Sequence, residues 1–177
     1  ACRWVLEFSV DVSLLSEKEA ACVRHGGFVH GAQFFDHRAF TIPEAEVMAI
    51  DPQQRLLLQV GYASLHATAE RRVTLLDSGT GAFLGIERPD WMLAQPPSAH
   101  SSTYATLGDN ASVAAGRLSF ALGLQGPCLS TDTACSSALV AANAATCGVR
   151  LQDCTCAVAM AVSLKLAPQG TLGAASA

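Results

Sequence analysis

Residues Gly126 to Ala145 read GPCLSTDTACSSALVAANAA, and the reading of this stretch decides the fold. Cys128 to Asp132 is short and mixed in polarity after a Gly-Pro break, the pattern of a strand running into a turn. From Ser136 the residues are small and helix-tolerant. Ala138, Leu139, Ala142 and Ala145 recur at helical spacing and predict the packed side, and Gly148 predicts the stop. Cys135 then stands at a strand–turn–helix junction. A side chain there faces the positive end of the helix macrodipole and unpaired backbone N–H groups. Thiolate is the nucleophilic form of cysteine, and the same N–H groups suit an oxyanion formed on a thioester carbonyl. Ala134, Ser136 and Ser137 leave room for that carbonyl. Against this stands the commoner fate of a free cysteine, which is to be a buried structural thiol.

Half of the 177 residues are hydrophobic and 15% are charged. That composition fits buried strands and helices and argues against disorder. The net charge of −4, with 11 basic residues and no basic run, speaks against nucleic acid as a partner. No apolar run approaches the ~18 residues of a membrane span. Seven cysteines are present, an odd number without a CxxC pair or a visible signal peptide. A disulfide framework or zinc site is therefore not expected, and a reducing intracellular compartment, cytoplasmic or organellar, is. Cys154 and Cys156, two apart, would share one face of a strand. The chain does not begin with Met and ends without closing an element, so it is expected to be a piece of a longer protein.

Along the chain, Trp4 to Val12 has strand-like spots, and Ser16 to Glu19 could open a short helix. Phe28, Phe34, Phe35 and Phe40 are expected to anchor a loop on the core. Thr41-Ile42-Pro43-Glu44 fits a capping box for a helix to about Ala49. Asp51 with Pro52 predicts a second helix, from Pro52 to about Thr68, with Leu56, Leu57, Val60 and Leu65 as its stripe. Arg55 is expected in a salt bridge or an interface. Ser78 to Ile86 reads as a buried strand; its glycines do not make GxGxxG, because Leu84 occupies the third glycine's place. Trp91 is expected to anchor the loop from Arg88 to Thr103, ahead of the alternative that it lines a substrate entrance. Asp109 or Asn110 caps a helix to about Leu122, ended by Gly123, with Val113, Arg117, Leu118 and Ala121 on one side. Asp153 to Leu166 reads as a long strand buried on both faces.

DTACSSALVAA (residues 132–142) closely resembles the active-site motif of β-ketoacyl synthases, in particular the ketosynthase domains of polyketide synthases, with Ala138 where a third Ser is usual. EAEVMAIDPQQRLLLQ (residues 44–59) resembles that family's DPQQRLLLE segment, with Gln59 in place of Glu. GGF…FD…F from Gly26, the strand ending in Ile86, and AGRLSF at 115–120 match further family segments. The resemblance runs from about Gly26 to Pro168. It departs at Met160-Ala161, where the family carries Gly-Gly.

The resemblance implies a thiolase-like α/β fold of αβαβα layers, with residues 1–177 forming most of the first half as one partial domain. It implies an acyltransferase in which Cys135 accepts an acyl group from the phosphopantetheine arm of an acyl carrier protein. A malonyl-type extender thioester then decarboxylates and condenses with it. No metal or dissociable cofactor is implied, and the intact domain is expected to be a homodimer. The family's two catalytic His and its Lys lie in downstream motifs absent here. His25, His30, His37, His66 and His100 all precede Cys135, and Lys165 is not in the lysine motif. Three other readings compete: a fatty acid synthase ketosynthase, a scaffold subunit (which usually lacks the nucleophile), and a superfamily member acting on coenzyme A thioesters. A cysteine hydrolase is remote, because no His or Asp partner stands in a motif.

Overall fold

Asp51 and Pro52 begin the helix on which the rest is layered. In the computed structural model, which describes residues 13, 15–23, 27, 29–101, 103–167, 170 and 172, this helix (α3) spans Pro52–Ala67. The Asp51 carboxylate accepts from the Gln53 N–H and caps it. Before it come α1 (Glu17–Val23), a 3-10 turn at Arg38–Phe40 and α2 (Glu44–Ala49). Ser16 and Glu19 bond reciprocally at the start of α1. After α3 come α4 (Arg72–Leu75), β1 (Thr80–Ile86), α5 (Trp91–Ala94) and α6 (Ala105–Gly108). They are followed by α7 (Ala111–Leu122), β2 (Cys128–Thr131), α8 (Ser137–Arg150) and β3 (Cys156–Val162).

The three strands among the described residues are parallel, in the order β2-β1-β3. β1 is central and every one of its residues is buried, which explains its unbroken apolar run. Period-two alternation divides its side chains between two helical layers. Ala82, with Val158 of β3, packs against Leu58 and Leu65 of α3 and Leu118 and Leu122 of α7. Leu84 and Ile86 pack against Leu57, Ala114 and Ala115 on the same side. Phe83 points the other way and meets Ala145 of α8 and Cys154. The result is a helix–sheet–helix sandwich, with α3 and α7 on one face and α8 on the other. At ~25 cal/mol per Å2 of apolar surface removed from water, these clusters are the main source of cohesion.

Polar ties hold the α3/α7 layer together. Arg117 of α7 donates to Glu46 at 2.5 Å and to Gln54 at 2.9 Å. Gln54 in turn donates to the Gly108 and Asn110 carbonyls. Gln53 accepts from the Leu164 N–H at 2.9 Å, which fixes the chain leaving β3. Asn110 caps α7, and Gly123 ends it in the left-handed region at φ 71°.

Several expectations are corrected. Thr41 does not cap a helix; it is left-handed and closes the Arg38–Phe40 turn, and Pro43 occupies the N-cap of α2. Phe40 is buried and stacked on Phe35, but Phe34 is exposed. In α3, Leu58 replaces Val60 in the buried stripe. In α7 the buried set is Ala114, Ala115, Leu118, Ser119 and Leu122, one step round from the expected side. The last strand is shorter than expected, and only Val158 in it is buried; among the described residues β3 lies at a sheet edge. Cys154 precedes it and is buried while Cys156 is exposed, so the two do not share a strand face. Trp4 to Val12, His25 and Phe28 fall outside the described residues.

Candidate active site

The turn between β2 and α8 is built by hydrogen bonds among its own small polar residues. Asp132 accepts from the Ala134 N–H at 2.9 Å through Oδ1 and from the Arg88 N–H at 3.1 Å through Oδ2. One carboxylate thus shapes the turn and ties it to the chain leaving β1. The Ser137 hydroxyl accepts from the Thr133 N–H at 2.8 Å and donates to the Ala134 carbonyl at 2.8 Å. Ser136 Oγ donates to the Thr133 carbonyl at 2.7 Å. These side chains take up backbone groups that a sharp turn cannot pair with one another.

Ala134 adopts φ 54°, a left-handed conformation uncommon for a residue with a Cβ. It is held there by the Asp132 and Ser137 contacts on either side of it. The strain places Cys135 at the crest of a 3-10 turn, Ala134–Ser136, which leads directly into α8. Its thiol is free and exposed. The buried structural thiol is therefore Cys154, packed between Phe83 and Ala145, and not Cys135.

β1 sets the height of this crest. A Cβ on Gly85 would lie 2.6 Å from the Ser137 carbonyl atoms and 2.9 Å from the Ala138 nitrogen. Glycine lets the first turn of α8 rest directly on the sheet. The face of α8 that does this is Ser137, Ala141, Ala145 and Gly148. Of the expected side, Ala145 lies on this face, whereas Ala138, Leu139 and Ala142 are turned outward, with Leu139 76% exposed. Gly148 is no stop either: the helix runs on to Arg150, and Gly148 lets Phe83 and Cys154 approach. The smallest side chains face the sheet because the approach is close, and Leu139 does not fit there.

Met160 and Ala161 face opposite sides of β3. Met160 registers with Leu84 and packs toward α3, where its sulfur lies 2.8 Å from the place a Gly61 Cβ would take. Gly61 makes the room that Met160 needs. Ala161 registers with Gly85, on the α8 side.

Three of the described histidines are engaged away from this turn. His37 Nδ1 is 2.7 Å from the Ile42 carbonyl, His66 contacts Arg71, and His100 Nε2 is 3.0 Å from the Met92 carbonyl. Lys165 pairs with Glu87 at 2.5 Å, which together with a Ser163 hydrogen bond holds the Glu87 carboxyl below its ordinary value. Among the described residues no group of three or more His, Cys, Asp or Glu could hold a metal, and no helix is long and apolar enough to cross a membrane. Among the described residues Arg55 forms no salt bridge. Its guanidinium lies 5.7 Å from the Trp91 ring centroid. Trp91 anchors its loop as expected, donating to the Ala49 carbonyl at 3.1 Å.

A parallel sheet between helical layers, with an exposed cysteine on a strained strand-to-helix turn, is the arrangement of a thiolase-like fold. The family model for the β-ketoacyl synthase N-terminal domain matches residues 10–177, and the chain belongs to that family. It is 41% identical over 138 residues to the spectinabilin polyketide synthase system protein NorC of Streptomyces orinoci, covering 77% of this chain and 6% of that protein. It is also 41% identical over 150 residues to the phenolphthiocerol synthesis polyketide synthase type I Pks15/1 of Mycobacterium marinum, covering 85% and 7%. The oxazolomycin ketosynthase domain OzmH KS7 of Streptomyces albus JA3453 superposes with a TM-score of 0.76 at 31% identity, over 85% of this chain and 26% of that one. The ketosynthase from module 6 of the bacillaene synthase of Bacillus subtilis 168 gives 0.72 at 30% identity, over 85% and 25%. The chain thus spans a small part of its curated relatives and about a quarter of each ketosynthase chain.

Proposed function

We propose that residues 1–177 are the nucleophile-bearing half of a polyketide synthase ketosynthase and that Cys135 is its acyl acceptor. The observation that carries this reading is the exposed Cys135 thiol, raised on the strained Ala134 turn at the start of α8. In the proposed reaction the Cys135 thiolate attacks the thioester carbonyl of an acyl group carried on the phosphopantetheine of an acyl carrier protein. The tetrahedral oxyanion is stabilised by backbone N–H groups at the start of α8. Its collapse expels the carrier thiolate, which takes up a proton, and leaves an acyl-cysteine. A malonyl-type thioester then loses carbon dioxide, and the resulting carbanion attacks the acyl-cysteine. Carbon–carbon bond formation returns the Cys135 thiolate and yields a β-ketoacyl thioester two carbons longer along its backbone.

The histidines needed to stabilise the decarboxylating thioester are assigned to polypeptide beyond this chain. None of His30, His37, His66 or His100 is placed for that role. The chain by itself is therefore expected to acylate slowly and not to condense. Homodimerisation of the intact domain is proposed through the outer edge of β2, which has no strand beyond it among the described residues and exposes Leu129. The test is incubation with an acyl-pantetheine thioester, followed by peptide mass spectrometry. Acyl mass on the Cys135 peptide, absent from Cys135→Ala, supports the proposal. Acylation of Cys128 or Cys147 alone would overturn it.

A further inference from the structure

The carboxyl ends of the three strands carry a polar cluster beside the Cys135 turn. Glu87, the residue after β1, continues the period-two series of Phe83 and Gly85, which faces α8. Ser163 and Lys165, beyond β3, continue the series of Ala161, the register partner of Gly85. Leu164 between them is buried, and its N–H goes to Gln53 of the α3 layer. The three polar side chains meet. Glu87 accepts from the Ser163 hydroxyl at 2.6 Å and from Lys165 Nζ at 2.5 Å. Asp90 accepts from the Leu166 and Ala167 N–H groups, both at 3.0 Å. The segment from Glu87 to Asp90 is thereby bound to the chain leaving β3.

The same segment also holds the nucleophile turn. Arg88, next in the chain to Glu87, donates its N–H to Asp132 Oδ2, and Asp132 Oδ1 accepts from the Ala134 N–H. Ala134 is the left-handed residue before Cys135. A continuous series of contacts thus crosses the sheet from β3 to β2. It runs from Lys165 through Glu87, Arg88 and Asp132 to the residue that precedes the thiol. Stability alone gives the ion pair little to do. The Lys165 and Glu87 side chains are 39% and 37% exposed, and a pair so open to water adds little to folding. Asp90 already secures the chain leaving β3. What Glu87 can fix is the Arg88 peptide, and a strained turn persists only while its surroundings hold it.

We propose that Glu87 is a positioning residue for Cys135. It keeps the Arg88 N–H where Asp132 can hold Ala134 left-handed, and Lys165 and Ser163 fix Glu87 in turn. The consequence for acyl transfer rests on the reading of Cys135 as the acyl acceptor. The coupling of Glu87 to the reactivity of the thiol does not.

The test measures, in the whole folded chain, the rates at which Cys135 is alkylated by iodoacetamide and acylated by an acyl-pantetheine thioester. Peptide mass spectrometry reads both, with the exposed Cys147 as internal reference. Glu87→Ala is expected to slow Cys135 about tenfold, a part of the ~100-fold that a displacement of ~1 Å can cost, with Cys147 unchanged. Lys165→Met should slow it less, because Ser163 still holds Glu87, and Lys165→Arg should retain the wild-type rate. Tm should fall by no more than about 4 °C in these variants. Asp132→Ala cuts the series between Glu87 and Ala134, so adding Glu87→Ala to it should slow Cys135 no further. If circular dichroism shows that Asp132→Ala does not fold, Asp132→Asn takes its place, since its single acceptor oxygen cannot serve both N–H groups. A wild-type Cys135 rate in Glu87→Ala, an equal loss at Cys147, or additive effects of Glu87→Ala and the Asp132 variant would overturn the proposal. Alkylation that depends on Glu87 without acylation of Cys135 would uphold the coupling and refute the acceptor reading. Acylation of Cys135 indifferent to Glu87 would do the reverse.

Discussion

Replacing Gly85 by alanine should damage the Cys135 turn without touching it. The added Cβ would stand 2.6 Å from the Ser137 carbonyl carbon and oxygen and 2.9 Å from the Ala138 nitrogen. Ordinary carbon contacts settle at about 3.5–4.0 Å, so the first turn of α8 must retreat by roughly 1 Å. The clashing atoms are backbone, and no flexible side-chain tip can swing away. Overpacking of this kind costs about 1–3 kcal/mol. In a domain of this size that is a fall in Tm of about 2–12 °C. The functional loss should be larger than the loss of stability, since a misplacement of ~1 Å at a reacting centre can cost about 100-fold in rate. Gly116→Ala is the matched control. Its Cβ would meet only the Cys128 sulfur, at 4.0 Å, and alanine within α7 should be neutral or stabilise by up to about 1 kcal/mol. Thermal unfolding by circular dichroism and acylation of Cys135 by mass spectrometry read the two effects separately. Gly85→Ala with wild-type Tm and wild-type acylation would refute the claim that the sheet positions the nucleophile.

Three further predictions concern the scaffold. Arg117→Gln or Glu46→Gln alone leaves a largely buried charge unpaired and should cost about 3 kcal/mol in urea unfolding, with the double replacement costing less than the sum. Asp51 is fully buried, and desolvation pushes its carboxyl up from 3.8 to about 6. The folded state therefore holds this proton more tightly than the unfolded chain. Its contribution is most favourable below about pH 4 and is lost as the pH rises through about 6, a change of about 3 kcal/mol. Asp51→Asn keeps an acceptor for the Gln53 N–H and should flatten that part of the pH profile of urea midpoints. Gly61→Ala should destabilise by about 1–3 kcal/mol through contact with the Met160 sulfur and Leu118, and Met160→Ala should recover part of that loss in thermal unfolding.

Local chemistry was legible wherever a terminus or a turn is decided by its own residues. Asp51-Pro52 starts α3, Asn110 and Gly123 bound α7, and Gly126-Pro127 precedes β2, as their side chains and backbone freedom require. Helix faces were less legible, because they are chosen by what packs against them. Periodicity alone favoured Leu139 for the sheet side of α8. The close approach of Gly85 to Ser137 sets the face that carries Ser137 and Ala141 instead, and that constraint sits some fifty residues away in the chain. Spacing also could not foresee that Gly148 would be an interior packing residue, since a glycine near a helix end fits both roles. The position of Cys135 on a strand–turn–helix junction was readable. The Asp132 and Ser137 bonds that hold Ala134 left-handed were not, although polar residues three and four apart are the signal for such a turn. The Arg55–Trp91 stacking was hidden because the two residues meet only in the fold.

The central claim is that Cys135 is the acyl acceptor because of where the turn places it. Its most direct measurement compares acylation of all cysteines in the folded chain by an acyl-pantetheine thioester, quantified by peptide mass spectrometry. Cys128, Cys135, Cys147 and Cys156 are all exposed, so exposure alone predicts similar labelling. If the turn selects the nucleophile, Cys135 dominates and its lead disappears when the chain is unfolded in urea. Equal labelling of the four in the folded chain would contradict it.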